Sequence, residues 1–161
     1  MESPLGAFDK DDVYIESVSQ TGQRDALVEV RLKAAFRYEK VQGKWVIREV
    51  RLGDRPWEKL DDILAALQAV KAEETRKLLE KVAAAIAQYR QKKGSLPPFK
   101  DYTSLTNLLN PEYLVPLIRL DAWEHPFVAT MVGTDGVRLE SAGVDGKFGT
   151  GDDITITRSF P

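Results

Sequence analysis

From Trp57 to Lys93 the chain contains neither glycine nor proline. Within that run Trp57, Leu60, Ile63, Leu64, Leu67 and Val70 recur at helical spacing. The polar segment KAEETRK (71–77) interrupts the stripe. Leu78, Leu79, Val82, Ala83, Ile86 and Tyr89 then resume it. Glu73/Lys77 and Arg76/Glu80 are opposite charges four residues apart, which supports helix across the interruption. The spacing predicts one long amphipathic helix over 57–93 with a solvated middle. At its start, Asp54 could accept from first-turn amides, and Pro56 suits a position that needs no amide partner. At its end, Gly94 suits a C-terminal cap, and prolines follow.

Upstream the period changes from 3.6 to 2. In ALVEVRLKAAFRYEKV the residues Val28, Val30, Leu32, Ala34, Phe36 and Tyr38 share one face. Gln42-Gly43 then reads as a hairpin turn before KWVIREVRL. In that second arm the alternation conflicts with itself. Trp45 and Ile47 fall on one side, and Val46, Arg48, Val50 and Leu52 on the other. Residues 12–52 are expected to form a three-stranded antiparallel meander, preceded by an arm over 1–11. Downstream, Tyr102–Leu109 reads as a short helix. Phe127–Met131, Val137–Ser141 and Ile154–Arg158 read as strands. The fold class is therefore α+β, in three parts: a β-rich segment (1–56), a long helix shared by both lobes (57–93) and a C-terminal lobe (94–161).

Composition narrows the chemistry. The chain has 161 residues and a net charge of −2, with basic and acidic residues interleaved. That gives no basic face for nucleic acid. With no cysteine, disulfides and thiolate chemistry are absent. One histidine, His125, excludes a multi-histidine zinc site, and its setting suits packing better than catalysis.

The segment Ser141–Ile154, SAGVDGKFGTGDDI, is where chemistry concentrates. Asp145, Asp152 and Asp153 are interleaved with Gly143, Gly146, Gly149 and Gly151. Calcium takes six to eight oxygens from carboxylates, carbonyls and water, and glycines let a short loop curl its carbonyls inward. The spacing is not that of an EF-hand, nor of a phosphate loop. Two readings stay open on composition: a hard-cation site, or paired Gly/Asp turns joining two strands.

The order of several elements resembles the soluble domain of the major pseudopilin of bacterial type II secretion. The match runs from about Val82 to Ile154. It begins with the Ala83/Ile86/Tyr89 stripe and Leu96-Pro97. It continues through Tyr113-Leu114, Asp121-Ala122-Trp123 and Pro126-Phe127. It closes with Leu139–Gly146, then Gly149-Thr150 and Asp152-Asp153-Ile154. Residues 1–60 lie outside it.

The resemblance implies a calcium loop whose side-chain ligands are Asp145, Asp152 and Asp153. The carbonyls of Ala142 and Thr150 would add to them, and Ser141 would support the ligands from behind. It further implies a non-enzymatic assembly protein, periplasmic or extracytoplasmic, whose partners are other secretion or pilus-like subunits. No small-molecule substrate is expected, and a membrane is involved only through an anchor outside this sequence. A second reading is an exported peptide- or protein-binding module carrying a structural calcium site. A hydrolase is disfavoured, because Glu112, Asp121, Glu124 and Glu140 show no paired spacing.

Overall fold

The computed structural model describes residues 11–160. The arm expected over 1–11 lies, apart from Asp11, outside them. The protein is α+β and divides into two compact units, Met1–Ala66 and Leu67–Pro161.

In the first unit the expected three-stranded meander does not form. Four strands make two antiparallel hairpins: β1 (Val13–Gln20) with β2 (Ala26–Leu32), and β3 (Ala34–Val41) with β4 (Lys44–Leu52). A two-residue β5 (Glu58–Lys59) adds to β4. The run from Ala26 to Val41 stays extended but changes partners at Lys33. The Lys33 N–H donates to Asp12 O (2.9 Å), and its carbonyl accepts from the Gly53 N–H (2.7 Å). Both backbone groups of one residue point to the same side of an antiparallel strand. β1 and β4 therefore lie along one edge of the β2–β3 segment, one beside each half. Asp12 and Gly53 meet at this junction, where the Asp12 carboxylate is buried, accepts from the Asp54 N–H (3.2 Å) and sits 3.5 Å from Lys33 Nζ. A Cβ at Gly53, with φ of +60°, would come within 2.2 Å of Asp12 Oδ2, so only glycine fits.

One β-bulge in each hairpin settles which residues share a face. In β1 the register shifts between Ile15 and Ser17, which puts Val18 on the side of Val13 and Ile15. In β4 Arg48 is the extra residue, since Arg37 pairs with Glu49 and Tyr38 with Ile47. This resolves the conflict in the second arm: Trp45, Ile47, Val50 and Leu52 all fall on the side of Phe36 and Tyr38. The opposite side carries the ion pairs Glu16–Arg31, Arg37–Glu49 and Glu39–Arg48. There Trp57 has the Arg37 and Arg51 guanidiniums 4.6 and 5.0 Å from its ring. Of the described residues in this unit, only Asp12 and Gly53 are buried.

Helix α1 (Leu60–Lys93) is uninterrupted, as the spacing predicts, but it starts three residues late. Asp54 does not cap it. Its side chain reaches Lys33 (3.6 Å), and Glu58–Lys59 pair with β4 instead. The solvated middle is also corrected. Thr75 is fully buried, on the stripe that continues through Leu79, Val82 and Ile86, whereas Ile63, Leu64, Leu67 and Val70 are exposed. A threonine can sit there because its hydroxyl accepts from the Ala122 N–H (3.1 Å). No helix among the described residues is long and apolar enough to cross a membrane.

In the second unit, the later turns of α1 pack with α2 (Tyr102–Leu109) and an antiparallel sheet of β6 (Val128–Val132), β7 (Gly136–Ser141) and β8 (Ile154–Ser159). Asp101 caps α2 by accepting from the Ser104 N–H (2.7 Å). Val137, Leu139 and Ile156 turn inward onto Leu79, Ile86, Leu105 and Leu109 in one buried cluster. Leu139 pairs with Ile156 and Ser141 with Ile154, so β7 and β8 hold the two ends of the 142–153 loop side by side.

Candidate metal centre

Because Ser141 and Ile154 are cross-strand partners, Asp145, Asp152 and Asp153 sit on a single closed loop. Gly143 adopts φ of +61°, and a Cβ there would lie 2.2 Å from the Asp152 carbonyl oxygen. The outgoing and returning chains thus touch at a point no side chain could occupy.

Each carboxylate accepts from an amide of the loop itself. Asp145 Oδ1 takes the Lys147 N–H (2.8 Å), Asp152 Oδ2 takes the Asp145 N–H (3.0 Å), and Asp153 Oδ2 takes the Gly149 N–H (2.7 Å). The Thr150 hydroxyl lies 2.6 Å from Asp152 Oδ1 and 3.4 Å from Asp145 Oδ1, with its single proton to share. The Thr150 hydroxyl, and then the Asp145 amide, hold the Asp152 carboxyl below the usual carboxylate range. Asp153 Oδ1 is different: it is shut off from solvent and has no hydrogen-bond partner.

The structure therefore brings Asp145, Thr150 and Asp152 together and ties Asp153 to Gly149. Ala142 is buried where the loop begins, and Thr150 is exposed. Among the described residues, no three His, Cys, Asp or Glu side chains converge into a group that could hold a metal ion.

The loop is braced from behind by a polar network that the spacing alone did not reveal. The Ser141 hydroxyl donates to the buried Asp121 Oδ2 (2.5 Å) and accepts from the Gly143 N–H (3.1 Å). Asp121 Oδ1 accepts from the Trp123 and His125 amides (2.9 and 2.8 Å). His125 Nδ1 lies 2.9 Å from the Gly143 carbonyl oxygen, and its ring fills the space a side chain at Gly146 would need. Through the Ala122 amide on Thr75, and the Trp123 indole on Gln68 Oε1 (2.5 Å), the 121–125 turn is fastened to α1. An acid two residues before a tryptophan was the available signal. Thr75 offered none, being one threonine in a charged run.

The remaining acids do not gather. Glu112 pairs with Lys92, and Glu140 with Arg138 (2.9 Å). Compared with protein families, curated proteins and solved structures, the chain finds no match.

Proposed function

We propose that the protein is a non-enzymatic, calcium-stabilised, pseudopilin-like assembly subunit. It works outside the cytoplasm with other subunits of a type II secretion or type IV pilus-like machine. The observation that carries the calcium part is Asp153 Oδ1, a carboxylate oxygen closed off from water without a donor. Leaving such an atom unpaired costs on the order of 1–3 kcal/mol, more when charged, and a bound cation removes that cost. The donor set suits calcium. Only oxygens are offered, and three glycines lie between Asp145 and the Asp152-Asp153 pair. Asp145, Asp152 and Asp153 would hold the ion through their side chains, with the carbonyls of Ala142 and Thr150 beside them. The ion would offset the mutual repulsion of three carboxylates on one short loop. The pseudopilin part rests on the resemblance from Val82 to Ile154, which the α1–α2–sheet order accommodates.

The test is thermal unfolding in chelator and in millimolar calcium. Calcium at a hundred times its dissociation constant adds about 2.7 kcal/mol. The melting temperature of the second unit should therefore rise, and Asp153→Ala should abolish the response. An unchanged melting temperature in the intact protein overturns the site.

A second reading, a protein-binding module with a structural calcium site, is favoured by one specific feature: the exposed apolar face of the first unit's hairpins.

A further inference from the structure

Among the described residues β2 and β3 are both edge strands. Lys33 spends its N–H and carbonyl on Asp12 and Gly53. By the alternation of an antiparallel strand, the odd residues of the 26–41 segment point their backbone groups toward β1 and β4. The even residues, Val28, Val30, Leu32, Ala34, Phe36 and Tyr38, aim theirs at the free edge. Both bulges fall in the partner strands, so this edge is regular along its whole length. An edge this long, apolar and unbroken is a template for another strand.

We propose that the free β2–β3 edge pairs antiparallel with the same edge of a second copy, about a twofold axis at Lys33. Sequence symmetry selects the occupant and the register. With Lys33 opposite its own counterpart, Val30 faces Phe36, Val28 faces Tyr38 and Leu32 faces Ala34. All three are hydrogen-bonded pairs, and the first two join a β-branched to an aromatic residue, a kind that sheets favour. On the other face Glu29 meets Arg37 twice, once on each side of the axis. A slip of one residue on each copy one way puts Glu29 against Glu39 and Arg31 against Arg37. A slip the other way puts Arg31 against Lys33. Of these three registers only the central one makes the charges complementary, and its one like pair, Lys33 with Lys33, is flanked in each copy by Asp12 and Asp54. The product is a sheet with β1 and β4 outside the paired β2–β3 segments, in which both copies present their apolar faces on one side. An isologous contact of this kind closes at two copies.

The experiment uses the whole chain, which has no native cysteine. Sedimentation velocity should give a dimer. Across the axis Lys33 is a non-hydrogen-bonded pair, with Cα atoms about 4.5 Å apart, within disulfide reach. Under mild oxidation, Lys33→Cys should therefore crosslink nearly all of the protein into dimers. Glu29→Cys alone should crosslink little. Mixed with Arg37→Cys protein, it should give the heterodimer. Val30→Pro removes one outward N–H and leaves the hairpin ladder intact, so it should reduce dimerisation at least tenfold with the circular dichroism unchanged. A monomer at all concentrations up to the millimolar range overturns the proposal. So does a dimer that Lys33→Cys fails to crosslink, as face-to-face packing would give, and so does association that needs a different protein.

Discussion

The two units use the same sequence device and reach opposite results. In both, apolar and polar residues alternate along antiparallel strands. In the second unit that alternation ends in burial: Val137, Leu139 and Ile156 are each at most 6% exposed, beneath α1 and α2. In the first unit the alternation is at least as regular, yet Trp45 is 67% and Val18 64% exposed. A sheet face is stabilised by a second layer, and two-stranded hairpins in water are marginal without one. Patterning therefore specifies a face, and only a partner element converts it into a core. What holds the first unit together is polar: the Asp12–Lys33–Gly53 junction and the cross-strand ion pairs.

The comparison breaks most visibly under truncation. Leu79→Ala removes a fully buried side chain from the second unit and should cost about 2–5 kcal/mol. Trp45→Ala removes a larger side chain from the first and should cost the monomer less than about 0.5 kcal/mol. Denaturant unfolding, with hydrogen exchange to assign each transition to its unit, measures both. Equal costs would show that the ribbon face is covered after all.

Ser141→Ala tests whether the second unit depends on its buried network as well as its apolar cluster. The substitution strips Asp121 Oδ2 of its donor and the Gly143 amide of its acceptor. The expected loss is about 1–3 kcal/mol, with faster exchange of the 142–153 amides. Gly53→Ala is its counterpart in the first unit. It combines a positive φ with a clash against Asp12. It should cost about 1–2 kcal/mol, read as faster exchange across residues 13–52 with the second unit unmoved.

Much of the second unit is legible in the sequence because its elements obey their periods. α2 forms over Tyr102–Leu109, and β7 and β8 fall within two residues of their expected ends. The first unit is less legible for a specific reason. A bulge inverts side-chain parity, and no residue type announces it. Arg48 is an ordinary strand arginine until Ile47 is known to pair with Tyr38 and Glu49 with Arg37. The partner switch at Lys33 is hidden likewise, since both sides of it alternate in phase. For the candidate site, the glycines and acids mark the loop, but composition does not tell which amide each acid caps. Asp121 and Thr75 needed the tertiary structure, because a buried polar group is identified by its partners and not by its neighbours in sequence.

The smallest effect concerns the loop's own protonation. Asp152 titrates below its ordinary value in the folded chain, chiefly because of the Thr150 hydroxyl. A carboxyl whose folded pKa lies below its unfolded one, about 3.9, lends stability above that unfolded value. That stability is lost as the pH falls through the lower, folded pKa. The residue is only half-buried at the loop surface, so solvent screening keeps the contribution small. Thr150→Val removes the hydroxyl and should move the Asp152 midpoint back toward the ordinary range. Carbon-detected carboxyl titration in chelator reads this directly. At neutral pH the variant should be slightly less stable than the parent, and the gap should close below about pH 4. If the comparison of the two units holds, the change in exchange protection stays within residues 142–153 and leaves the ribbon untouched. Calcium should depress the same midpoint further, because the ion and the proton compete for one carboxylate. If calcium leaves the midpoint where chelator had it, Asp152 is a turn cap and not a ligand.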